Sequence, residues 1–268
     1  MYVPYVKRAR LYPILVVFLV PLIGCTYADV ARLNTECVLG RYVSCFALGS
    51  KYATGNGVAQ DNEKAVALFQ RACDGGNAQG CSGLGFMYDT GAGVNQDIAR
   101  AVALYKSSCD GGDSLGCSFL GSLHEEGKGV ARDFTTAAMY YQRACDGEPL
   151  VGCNELGSLY AIGRGVAKDE KRAAELYQRS CNRGNSGGCF LLGNAYLMGS
   201  GVNKDGVRAA TFMERACRDN AGACGMLATM YAFGQGVTKD TARAATFYQK
   251  ACQMGDQAAC DSIKNLQR

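Results

Sequence analysis

The sequence predicts an all-α protein, a solenoid of stacked helix pairs with one disulfide in each repeat. Three observations carry that prediction. Composition and pattern recur with a period of 36 residues along the chain. A pair of cysteines is rebuilt in each period. Between the pairs, apolar residues fall at helical spacing.

The cysteines come first because they set the frame. Of the 15 in the chain, 14 fall into local pairs: Cys37/Cys45, Cys73/Cys81, Cys109/Cys117, Cys145/Cys153, Cys181/Cys189, Cys217/Cys224 and Cys252/Cys260. Each pair is eight residues apart, except Cys217/Cys224, which is seven apart. Connectivity is not in general readable from sequence, but the repetition of one local spacing points to bonding within each pair. Closing so short a loop stabilises by about 2–3 kcal/mol in the chain-entropy model. So many cysteines in an exported chain suit a disulfide framework better than zinc ligation.

The remaining cysteine, Cys25, belongs to the first element. Lys7, Arg8 and Arg10 precede an apolar run from Ile14 to Ile23, which Pro21 interrupts. A basic start, a short apolar run and small residues after it predict an export signal over 1–24, too short to span a bilayer. The segment Leu22-Ile23-Gly24-Cys25 resembles the lipobox of bacterial lipoprotein precursors, which implies lipidation at Cys25. Residues 25–43 then form the anchor and an N-terminal cap. Without the leader the chain has 25 basic against 24 acidic residues, a balance with no nucleic-acid footprint.

The repeats follow, over 44–79, 80–115, 116–151, 152–187, 188–222 and 223–258, with 259–268 as a C-terminal capping helix. The unit from Gly152 to Cys181 shows the plan. Cys153, Leu156, Gly157 and Tyr160 share one face of a first helix. Gly163 and Gly165 end it. Asp169 caps a second helix, whose buried stripe is Ala173, Leu176, Tyr177 and Ser180. The glycine row Gly49, Gly85, Gly121, Gly157 and Gly193 becomes Ala228 in the last unit. Only small residues occupy it, which predicts close helix–helix contact. One helix pair cannot bury its own apolar face, so neighbours must stack.

These residues, with Leu48 to Cys73 as a clear copy, resemble Sel1-like repeats, relatives of the tetratricopeptide class. With a cysteine pair in each unit the chain is similar to the Helicobacter cysteine-rich protein family. That resemblance implies a secreted or envelope adaptor built as a superhelix. It also implies an alternative, since some members are described as penicillin-binding proteins or weak β-lactamases. A departure is His124, which stands where other repeats have Tyr52, Tyr88, Tyr160, Tyr196 and Tyr231.

The residues themselves supply no catalytic set. A single histidine excludes H-E-x-x-H and other metal sites needing two, and His124 falls in a packing slot. Gly184-Asn185-Ser186-Gly187-Gly188 matches G-x-S-x-G, but in a loop between helices and not behind a strand. S-x-x-K, S-D-N, K-T-G, a Walker loop and C-x-x-C are all missing from the chain. No cofactor is expected.

What remains is surface. The third and seventh residues of each first helix share a face and vary between repeats. They read Phe46 and Ser50, Ser82 and Phe86, Ser118 and Ser122, Asn154 and Ser158, Phe190 and Asn194, Gly225 and Thr229. A face free to vary is free to be tuned, and tetratricopeptide-like solenoids offer such a face to peptides. The expected partner is therefore a protein or peptide; the family resemblance implies a cell-wall precursor as a further option. The expected location is the bacterial envelope, on a periplasmic or surface-facing membrane, the outer one favoured.

Overall fold

The computed structural model describes residues 28–147 and 152–266, with no side-chain placement for 265–266. The expected export signal and Cys25 lie outside the described residues. Every regular element among those described is a helix. They divide into two compact units, 1–111 and 112–268.

The first unit holds α1 (28–38), α2 (Tyr42–Thr54), α3 (Asn62–Asp74), α4 (Ala78–Thr90) and α5 (Ile98–Asp110). The second holds α6 (Ser114–Glu126), α7 (Phe134–Asp146), α8 (Cys153–Ile162), α9 (Glu170–Asn182) and α10 (Ser186–Met198). It continues through α11 (Gly206–Ala216), α12 (Ala221–Phe233), α13 (Thr241–Gln253) and α14 (Gln257–Leu266). Even-numbered helices from α2 to α12 are the first helices of the repeats; each packs on the odd-numbered helix that follows it. The terminal helix α14 packs on α13 and starts two residues before the expected cap.

Each turn of this plan has a local cause. The second helices begin behind Asp61, Asp97, Asp133, Asp169, Asp205 and Asp240, whose carboxylates accept free amides of the first turn. Such a cap contributes about 1 kcal/mol. In every repeat the amide of this aspartate also donates to the carbonyl of the tyrosine-row residue, His124 included. Two glycines make the connecting loop possible. Gly163 closes α8 at φ 73°, a left-handed conformation that side chains resist. Gly165 presses on the backbone of Phe134 at the head of α7, where any Cβ would collide.

The small-residue row behaves as expected. A Cβ at Gly157 would sit 2.6 Å from the Tyr177 ring, and one at Gly85 2.8 Å from Tyr105. The stripe Ala173, Leu176, Tyr177 and Ser180 is buried. Bonds join Cys37–Cys45, Cys73–Cys81, Cys145–Cys153, Cys181–Cys189, Cys217–Cys224 and Cys252–Cys260. Their Cα atoms lie 4.4 to 4.8 Å apart, within unstrained reach. Cys109 and Cys117 are oxidised as well. Each of these six bonds ties the end of a helix to the start of the next, so the contact between successive helix pairs is covalently fixed.

Candidate binding face on the first helices

The variable row falls into groups, and most of it has a packing task. In the first unit, Ser82 is buried and donates to the Gln79 carbonyl, so it is no surface residue. Phe46 is half-buried, its ring 5.8 Å from that of Phe69. Ser50 donates back to the Phe46 carbonyl at 3.0 Å. Phe86 is 47% exposed. In the second unit, Ser118 is buried, and Phe190 is half-buried against the cluster around Leu192 and Met213. Phe190, expected from its variation to lie on a tunable face, also packs against that core cluster.

The hydroxyls of the seventh row have a common role. Ser158 Oγ lies 3.4 Å from Tyr177 Oη, and Thr229 Oγ1 lies 3.0 Å from Tyr248 Oη. Tyr141 Oη donates to Glu125 Oε2 at 2.8 Å and has Ser122 as a second partner, while Ser122 Oγ donates to Glu126. These tyrosines are buried against the small-residue row, and burial raises the phenols of Tyr141 and Tyr177. A buried phenol needs a partner, and the serine or threonine that directly follows the small residue supplies one to Tyr177 and Tyr248. Where the second helix offers Met213 instead, no partner is needed, and the row carries Asn194. Asn154 is engaged elsewhere: its Nδ2 donates to Asn185 Oδ1 at 3.1 Å, joining α8 to the cap of α10.

One more turn along the same face, the second unit changes character. Ile162, Met198 and Phe233 end α8, α10 and α12, and are 56%, 69% and 71% exposed. Beside Met198 a hollow of about 240 Å³ opens between α8 and α10. Ala161, Leu191, Asn194 and Ala195 line it from the first helices, and Ala173 and Tyr177 form its floor. Neither α10 nor α12 carries a charged residue. The sequence reading stopped at the seventh row. Carrying it one turn further, through Thr54, Thr90, Glu126, Ile162, Met198 and Phe233, would have exposed the change.

Two other features combine polar groups with partial enclosure. A polar recess of about 650 Å³ surrounds the loop Gly199 to Asp205. Lys204 and Arg208 both line it, and Arg208 is already engaged by Tyr196 Oη and Asp205. His124 stacks on Tyr140 with centroids 5.6 Å apart, and its Nδ1 is buried with no hydrogen-bond partner among the described residues. In four other repeats a cation lies over the tyrosine ring: Lys64 on Tyr52, Arg100 on Tyr88, Arg208 on Tyr196 and Arg243 on Tyr231. The third repeat has Thr136 there, and its hydroxyl bonds Asp133 at 2.6 Å instead. That bond, with the amides of Thr136 and Thr135, holds the Asp133 carboxyl below its ordinary range. The third repeat therefore lacks both the tyrosine ring and the cation over it. Ser186, from the discarded motif, opens α10 behind its cap Asn185, with a helix and not a strand before it.

The Sel1 repeat model matches six segments: 43–77, 78–113, 114–148, 150–185, 186–220 and 221–256. The chain belongs to the Sel1 repeat family. Sel1 repeats form solenoids that mediate protein–protein interaction and are generally non-enzymatic scaffolds. A Sel1 repeat protein from Oxalobacter formigenes is 27% identical with a TM-score of 0.74, over 84% of this chain and 99% of that one. The protective antigen c5321 of uropathogenic Escherichia coli, with an SLR fold, is 28% identical with a TM-score of 0.72. That match covers 87% of this chain, which spans half the length of the antigen. Helicobacter pylori cysteine rich protein B is 31% identical over 50% of this chain and 97% of its own, with a TM-score of 0.41. Among curated proteins none matches.

Proposed function

We propose that this Sel1 repeat protein is a lipid-anchored scaffold of the bacterial envelope, and that it holds a protein or peptide partner on the first helices of its last three repeats. The observation that carries the binding face is the exposed row Ile162, Met198 and Phe233 beside the hollow at Asn194. Large exposed apolar side chains at equivalent places in successive helices do nothing for the fold. They match the apolar anchors that dominate protein interfaces. Glu170 also lines the hollow, but the uncharged helices α10 and α12 beside it suit an apolar segment of the partner more than an acidic or basic one. The export signal and Cys25 support the envelope location.

The test is capture from an envelope extract with the whole protein as bait, followed by mass spectrometry. Met198→Asp and Phe233→Asp should lose the partner while circular dichroism and melting stay unchanged. Capture of the same partner by both variants would remove this face from the proposal.

A further inference from the structure

The repeats provide an internal control, and among the described loops the first departs from it most. Between bonded cysteines Asp74-Gly75-Gly76-Asn77, Asp110-Gly111-Gly112-Asp113 and Asn182-Arg183-Gly184-Asn185 are polar or small, Leu115 and Met254 are single apolar residues in such loops, and the Cys145–Cys153 loop, with Leu150 and Val151, lies largely outside the described residues. The first loop, closed by Cys37–Cys45, reads Val38-Leu39-Gly40-Arg41-Tyr42-Val43. Val38, Leu39 and Val43 are 59%, 75% and 65% exposed, and Tyr42 is 38% exposed.

The fold does not ask for this. Asn77, Asp113, Asn185 and Asn220 cap α4, α6, α10 and α12 through their side chains; Gly152 before α8 has no side chain to do so, and Arg41, at the same place before α2, has one but makes no cap bond. The first loop gives up its helix cap and presents three aliphatic side chains to solvent. It is also held in shape. Arg71 Nη2 donates to the Val38 carbonyl at 3.1 Å, and the Tyr42 ring fills the space beside Gly75. An exposed apolar tip kept rigid, at the expense of a cap, is built for contact.

The chemistry of the tip selects the occupant. Aliphatic side chains at the apex, a tyrosine at their flank and the exposed arginine Arg41 are the set that enters a bilayer interface. There the chains enter the acyl region while phenol and guanidinium stay among the headgroups. Four side chains are too few for a second copy, since stable protein interfaces bury about 1,200 Å² or more. Position agrees. The chain outside the structure ends where α1 begins, at residue 28, three residues after Cys25. Helix α1 has 11 residues, a length of about 16 Å, and the tip lies at its far end. A chain anchored at Cys25 keeps the tip within reach of the membrane.

We infer that the Val38–Val43 tip is a second membrane contact, inserting Val38, Leu39 and Val43 into the headgroup boundary and so fixing the orientation of the anchored scaffold. This rests on the lipid-anchor reading above, and the test separates the two. The chain has no tryptophan, so Leu39→Trp is a unique reporter, with Val207→Trp, at a site 67% exposed in α11, as the control. The purified lipidated protein is mixed with vesicles of phosphatidylethanolamine and phosphatidylglycerol carrying brominated acyl chains, then floated on a density gradient. Circular dichroism confirms the fold of each variant, and Val43→Trp serves as a second reporter.

The expected result is flotation with a blue-shifted, bromine-quenched Leu39→Trp signal and an unshifted, unquenched Val207→Trp signal. Flotation with Leu39→Trp and Val43→Trp both left in water overturns the tip contact and leaves the anchor standing. Failure to float overturns the anchor, and the tip contact with it. Quenching of the Val207→Trp control to the same extent overturns an oriented contact. A blue shift that grows with protein concentration, without vesicles, makes the tip an interface between copies and also overturns the inference.

Discussion

The first helices of the two units share one frame and differ along one line. In α4 and α10 the buried residues correspond: Leu84 with Leu192 in the core, and Gly85 with Gly193 at the helix contact. At the exposed end of the same helices, the first unit carries Thr54 and Thr90, while the second begins with Glu126 and then carries Ile162, Met198 and Phe233. Packing is satisfied equally by both, so packing did not choose between them. In a repeat protein the fold shows what it needs by repeating it, and the departures mark what the fold left free.

That comparison can be broken at either side. The largest effect is expected from the shared core. Leu84→Ala and Leu192→Ala, both at buried positions, should each lose about 2–5 kcal/mol, measured by urea denaturation. Replacing Cys181 and Cys189 together by serine should cost about 2–3 kcal/mol, read the same way under non-reducing conditions. Next comes the glycine row. Gly85→Ala and Gly157→Ala push a methyl into the rings of Tyr105 and Tyr177, and each should cost about 1–3 kcal/mol with a lower Tm. A loss confined to one unit would mean that the helix contact is not the same in both.

The exposed row should behave differently. Met198→Asp and Thr90→Asp should both stay within about 0.5 kcal/mol of the parent, because neither side chain is buried. Only Met198→Asp should weaken partner binding, by roughly thirtyfold if Met198 is an interface centre. Equal binding losses for both would erase the distinction between the units. The smallest effect is a gain. Arg41→Asn supplies the cap that α2 lacks and should stabilise by about 1 kcal/mol, seen as a modest rise in Tm.

Much of the fold was legible because its determinants are local. Disulfide pairing over eight residues, aspartate caps and glycine stops act within a turn or two, so spacing alone exposes them. The candidate face was legible only in part. Ser122, Ser158 and Thr229 vary in the sequence as a binding face would, yet they serve buried tyrosines on the neighbouring helix. Nothing in the first helix announces that duty. It becomes visible only beside Tyr141, Tyr177 and Tyr248, and Asn194 is released from it by Met213.

By itself, then, the sequence determined the repeat, its stapling and the slot in which His124 sits, since each is a matter of residues near one another along the chain. The tertiary structure alone decided which variable residues are spent on packing and which meet solvent. Phe190 and Phe86 occupy the same face by periodicity, yet one lies half-buried on the Leu192 cluster and the other stands largely in water. Exposure depends on the neighbouring helix as much as on the residue, and that neighbour is set by stacking, which no single repeat encodes.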